Sequence, residues 1–119
     1  MSLKIQYGRF KNMSPDDIRK WLEGNNSCQD LVDTFAVVCN QAFSVADNEY
    51  DYPQGSNSYQ RAVEITDSWF ILFDDLLNLV ISFAREEGYS IPDSGYHYSL
   101  IPFIEKYGYT DGSGWWIKK

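Results

Sequence analysis

Three side chains of this 119-residue chain could combine into nucleophilic chemistry: Cys28, Cys39 and His97. A thiol attacks as its thiolate, which a nearby base or a helix N-terminus favours. Cys28 falls where the sequence begins a helix, so it is the better placed of the two thiols. Cys39 recurs with the apolar positions of the same helix and reads as a small core residue. His97 stands between Tyr96 and Tyr98 in what reads as a loop, where a lone histidine is ordinarily a surface side chain. No catalytic signature surrounds any of them. A small enzyme working through Cys28 or His97 is therefore the lowest-ranked functional reading, and the chain is not expected to be an enzyme.

The same residues exclude other chemistry. Eleven helical residues separate the cysteines by roughly 16 Å, too far for a disulfide. Reduced thiols suit a cytoplasmic protein. Two cysteines without a CxxC, and one histidine, make no zinc site. Asp47, Glu49 and Asp51 have the spacing that opens a calcium loop. Tyr52 then stands where the sharp turn needs glycine, and Ser58 where a bidentate acid belongs. Asp74/Asp75 and Glu86/Glu87 could act as acid and base. Adjacent acids on a helix more often form a solvated face. Gly108, Gly112 and Gly114 lack phosphate-cradling spacing. Neither a metal nor a cofactor is expected.

One constellation remains. Residues Glu49, Tyr50, Asp51 and Tyr52 interleave acids with tyrosines, and Asp47 precedes them. Tyrosine gives rigid contact area with a polar tip, and carboxylates steer a basic partner. The charge distribution points the same way. Residues 21–105 carry fourteen acids against Arg61 and Arg85, a net of −12 within a chain of net −7. The first twenty residues are +3 and the last fourteen +2. Such a field attracts basic proteins and repels nucleic acid and anionic membranes.

The elements that must position these groups are mainly helical. With 44% apolar residues and twenty aromatic side chains the chain can build one domain over residues 1–119. Residues 3–10 alternate apolar and polar as far as Tyr7, as a short strand or extended arm does. Met1–Arg9 has no apolar core of a signal peptide, and Asp74 and Asp75 interrupt the longest apolar stretch, so no membrane span is expected. Ser14, Pro15 and Asp17 make an N-cap, a first-turn proline and a capping box, and Gly24 ends that helix. A second helix starts at Ser27 and ends near 44–47, with a loop over 47–57 punctuated by Pro53 and Gly55.

The third helix, about 58–87, is the expected centre. At 100° per residue, Glu64, Asp67, Ser68, Asp74, Asp75, Asn78, Ser82, Arg85 and Glu86 share roughly 120° of arc, interrupted by Ile71. Apolar residues fill the rest, with Phe73 in their midst, so several neighbours must cover this helix. A fourth helix is expected near Ser99–Tyr107, with Pro102 tolerable only in its first turn. The tail has a turn signal at 110–114, and a small β element from the two termini is the expected use of the ends. The fold class is thus mainly α, four helices around a central long one.

The favoured function is stoichiometric binding of a basic partner, as an immunity or antitoxin protein that inhibits a nuclease-type toxin. The expected contact residues are Asp47, Glu49, Tyr50, Asp51, Tyr52, Glu64, Asp67, Asp74 and Asp75. The alternative is a phage or plasmid inhibitor that mimics DNA, which needs a long, regular line of carboxylates. The expected state is a monomer or homodimer.

Overall fold

The computed structural model describes residues 10, 12–112 and 115–119, and of Tyr50 the backbone only. Four helices, α1 (Pro15–Gly24), α2 (Cys28–Asn48), α3 (Asn57–Glu86) and α4 (Tyr96–Lys106), precede a hairpin of β1 (Tyr109–Asp111) and β2 (Trp116–Lys118). Each of the first three helices starts where a serine can satisfy a free backbone N–H. Ser14 Oγ accepts from the Asp17 N–H at 3.3 Å, and Asp17 Oδ2 accepts from the Ser14 N–H at 3.0 Å. Ser27 and Ser56 cap α2 and α3 through the Asp30 and Tyr59 amides, each at 3.1 Å. Gly88, at φ 96°, lets the chain leave α3 with the Tyr89 N–H on the Ala84 carbonyl and its own on Arg85.

α3 is the central element. Trp69, Leu72, Leu76, Leu77, Val80 and Ala84 are buried along it. The arc expected to be polar faces outward: Glu64, Asp67, Ser68, Asp74, Asp75, Asn78, Ser82, Arg85 and Glu86 are all exposed. α2 runs beside α3 and contributes Leu31, Val32, Phe35, Val38, Ala42 and Val45 to the same core. Their polar joint is Thr66, whose buried hydroxyl reaches the Ala62 carbonyl at 2.9 Å and the Val45 carbonyl at 3.3 Å. α1 adds Ile18, and α4 adds Leu100, Phe103 and Ile104. The Arg85 guanidinium holds the loop between α3 and α4 through the Ile91 carbonyl and Asp93.

Several expectations are corrected. The loop placed over 47–57 begins later, because α2 continues to Asn48 and a 3₁₀ turn takes Glu49–Asp51. No helix-breaking residue stands before Pro53, and the Tyr52 N–H still finds the Glu49 carbonyl at 3.3 Å. α4 starts three residues earlier than expected, after Gly95 at φ 67°. Pro102 therefore lies inside the helix rather than in its first turn. It sits on the exposed side, where water can serve the Tyr98 carbonyl that lacks a proline N–H.

The small sheet is antiparallel and pairs Thr110 with Ile117, with both strands drawn from the C-terminal tail. The expected arm at 3–8 lies outside the described residues. Phe10 is buried, its ring centroid 5.2 Å from that of Trp21. Among the described residues no helix is long and apolar enough to cross a membrane.

Phe73 is only half-buried, stacked on Phe35 at 5.8 Å, whereas Trp69 is sealed. Trp69→Ala is expected to cost about 3–5 kcal/mol in urea unfolding, and Phe73→Ala less. A Trp69→Ala loss below about 1 kcal/mol would show that α3 is not the centre of the core.

Candidate functional site

The groups with chemical potential separate into two places. Cys28, in the first turn of α2, lies with its Sγ 3.9 Å from Glu87 Oε2. The Tyr107 hydroxyl donates to the same oxygen at 2.8 Å, and Lys106 pairs with the other. Lys106 holds the Glu87 carboxyl below its ordinary value, assisted by Tyr107. The Tyr107 hydroxyl is raised, first by the neighbouring Cys28 thiol, then by burial and by Glu87. These groups tie the end of α3 to the end of α4.

His97 is elsewhere. Its Nε2 lies 3.4 Å from Asp111 Oδ1, and its ring centroid is 5.4 Å from that of Trp116. The cysteine that shares a cavity with it is Cys39, three helical turns from Cys28. Burial pushes the Cys39 thiol up to about 12, against a smaller lowering by a hydrogen bond with Trp116. It is a protonated thiol at neutral pH. His97 thus shares a cavity with the buried cysteine, and Cys28 lies beside a carboxylate. Among the described residues no three His, Cys, Asp or Glu side chains gather around a metal-sized point.

The second place is built by α2. Positions 29, 33, 40, 44 and 47 fall within about 60° of arc, so Gln29, Asp33, Asn40, Ser44 and Asp47 form one polar track along this helix. Its first three members hold the C-terminal tail. Gln29 Nε2 donates to the Tyr107 carbonyl at 2.9 Å, and the Tyr109 hydroxyl donates to Asp33 at 2.7 Å. Asn40 acts as a substitute strand: its Nδ2 donates to the Trp116 carbonyl at 2.8 Å, and its Oδ1 accepts from the Trp116 N–H at 2.9 Å. Those two backbone groups face away from β1, so Asn40 closes the outer edge of β2 where it meets α2.

Holding Trp116 inward turns its neighbours outward, since strand side chains alternate. Trp116 is buried, while Trp115 and Ile117 are 60% and 49% exposed. Both side chains lie across Gly112, where a Cβ would stand 2.5 Å from Ile117 Cδ1 and 2.6 Å from Trp115 Cδ1. Beside them Phe43 is 47% exposed on α2. Phe43, Trp115, Trp116 and Ile117, with Asn40, Ser44 and Asp47, line an open groove of about 410 Å³. A second cavity of about 230 Å³ shares Phe43 and Trp116 and runs inward to Phe35, Phe73, Tyr96 and Leu100.

The expected contact residues divide around this groove. Asp47 lines it. Glu49 and Asp51 follow in the 3₁₀ turn, with Tyr52 half-buried at its end, while the side chain of Tyr50 lies outside the described residues. Asp67 and Asp74 lie on the side of the α3 stripe nearest Phe70, whose ring meets Phe43 at 5.8 Å. Asp74 also contributes to the raised Tyr96 hydroxyl, behind burial and Cys39. Glu64 sits near the middle of the stripe, in line with Ile71. Asp75 turns to the other side and pairs with Arg19 of α1 at 2.8 Å. Phe43, Trp115 and Ile117 were not among the expected contacts. Alternation around Trp116 is the signal in the sequence that could have found the last two.

Comparison with known proteins gives no match: no family model, no curated protein and no solved structure matches the chain.

The thiols are separable by reaction. Iodoacetamide at about pH 8 should alkylate half-exposed Cys28 in the native chain and spare Cys39. Comparable labelling of Cys39 would mean that the inner cavity opens to solvent.

Proposed function

We propose that this chain is a stoichiometric binding protein for a basic protein partner. The observation that carries the reading is electrostatic. Asp47, Glu49 and Asp51 stand at the C-terminal end of α2, whose last turn contains no basic residue. The helix dipole places partial negative charge there, so Asp47 in the last turn and Glu49 at the C-cap stand against it, with Asp51 adding to the same field. Among the described residues none of the three has a Lys or Arg within ion-pair distance, whereas Asp75, Asp93 and Glu87 each do. A cation from outside would relieve that unfavourable field. Asp67 and Asp74, exposed and likewise without a described cation, extend the negative rim along α3.

A nuclease-type toxin is the basic protein that fits this chemistry most directly, because its cleft is shaped to receive phosphates. The chain would then act in the cytoplasm as an immunity or antitoxin protein, with carboxylates standing where phosphates bind. A DNA mimic is less well supported. Ile71, 59% exposed, breaks the line of carboxylates, and Arg19 neutralises Asp75.

The test is kinetic. The partner is captured on the immobilised chain at low salt from the organism that encodes it, identified by mass and purified. Its association rate is then followed as salt rises from about 50 to about 300 mM. The partner should be basic and its association should slow at least about tenfold over that range. Glu49→Lys with Asp51→Lys should slow association about tenfold at low salt and flatten the salt dependence. A partner without a positive surface, or kinetics unchanged by the double reversal, would refute the reading.

A further inference from the structure

The polar track on α2 is longer than the tail it holds. Gln29, Asp33 and Asn40 are each engaged by residues 107–116. Ser44 and Asp47 continue the same line for about 10 Å beyond Asn40. Among the described residues neither has a hydrogen-bond or ion-pair partner, and both line the open groove. The apolar wall of that groove is equally unfinished. Phe43, Trp115 and Ile117 leave about half or more of their surface to solvent. A polar track with extended backbone on its first half, and an exposed apolar wall beside its second half, describes half of a binding channel.

We propose that the channel receives an extended segment of the basic partner, in which an apolar side chain stands next to a lysine or arginine. The apolar side chain enters between Phe43, Trp115 and Ile117. The cation reaches Asp47, with Glu49 following it along the chain. This rests on the reading of the chain as a binder of basic proteins and adds the place and the chemistry of the contact. Three observations specify the occupant. Among the described residues Asp47 is the single charged side chain lining the groove, so the complement is a cation. The groove of about 410 Å³ has room for one large side chain with its backbone. Asn40 already binds the N–H and C=O of one extended residue, Trp116, and Ser44 offers the next hydroxyl along the helix. An apolar centre with a carboxylate rim is also the anatomy of a protein interface with a central anchor.

A helical occupant is a poorer fit, because the tail that shares the track is extended. A second copy of this chain is a poorer one still, because two molecules of net charge −7 would bring the same carboxylates face to face.

The probes are peptides selected from a displayed library of random 12-residue sequences against the full chain. Enriched sequences should pair Lys or Arg with Leu, Ile, Phe or Trp within two residues. Synthetic versions should shift the Trp115 indole and Ile117 methyl resonances. Trp115→Ser and Asp47→Lys should each weaken them at least about tenfold, with circular dichroism confirming that both variants stay folded.

Failure of the inference and failure of the wider reading give different results. Basic peptides that bind Trp115→Ser as well as the parent, but lose affinity to Glu64→Lys or Asp75→Lys, would place the contact on the open side of α3 and refute the groove alone. Enrichment without basic residues would refute both. Selection that yields no binder would refute the groove as a peptide channel and leave the kinetic test of the basic partner to stand by itself. Shifts that saturate only when the protein self-associates would assign the groove to a second copy and overturn the proposal.

Discussion

A thirty-residue helix that is apolar around most of its circumference cannot stand at a surface, and α3 is such a helix. Covering it takes α1, α2 and α4 together, and leaves to water the arc that holds Glu64, Asp67, Asp74 and Asp75. That single constraint assigns the other elements their roles. α2 lies along α3 and seals Trp69 and Leu72 with Phe35, Val38 and Ala42. Its opposite side is then free to carry polar residues, and the C-terminal tail settles there. The hairpin is too small to hold itself in water. It is kept in place by Asn40, by the buried ring of Trp116 and by the Tyr109–Asp33 hydrogen bond.

The groove is a consequence of this arrangement. Asn40 takes the outward backbone groups of Trp116, the indole turns inward, and Trp115 and Ile117 are left outside next to Phe43. Such a patch leaves apolar surface available for association. The carboxylates around it fit the same logic. Asp47 and Glu49 are placed against the dipole of α2, where a sequence selected only for stability would favour lysine or arginine. Other acids serve structure: Asp17 in its capping box, Glu87 with Lys106 and Tyr107, Asp93 with Arg85.

Much of the helical plan is legible in the residues. Ser14 and Ser27 mark helix starts because a hydroxyl on an extended residue satisfies a free amide, a local event that needs no tertiary partner; the Ser56 cap lies inside the expected loop. The outward arc of α3 is legible because a helix repeats every 3.6 residues and a carboxylate without a partner stays in water. The misreadings come from non-local or borderline effects. Glu49–Asp51 continues as a 3₁₀ turn because nothing before Pro53 forbids it. Pro102 sits inside α4 because its exposed face tolerates a missing bond. Phe43, not among the expected contacts, lies at the margin of the buried arc of α2 and is covered only in part, by Phe70 and Phe73. The role of Asn40 depends on a strand 76 positions away, which periodicity cannot reveal.

The central claim is that the partner meets the carboxylate-rimmed groove between α2 and the hairpin. Hydrogen exchange of the purified chain, alone and with its captured partner bound, tests it most directly. The account predicts that binding slows exchange over residues 40–51 and 115–118 and leaves α1 unchanged. Protection confined to α1, or to the Cys28, Glu87 and Tyr107 end of the molecule, would contradict it.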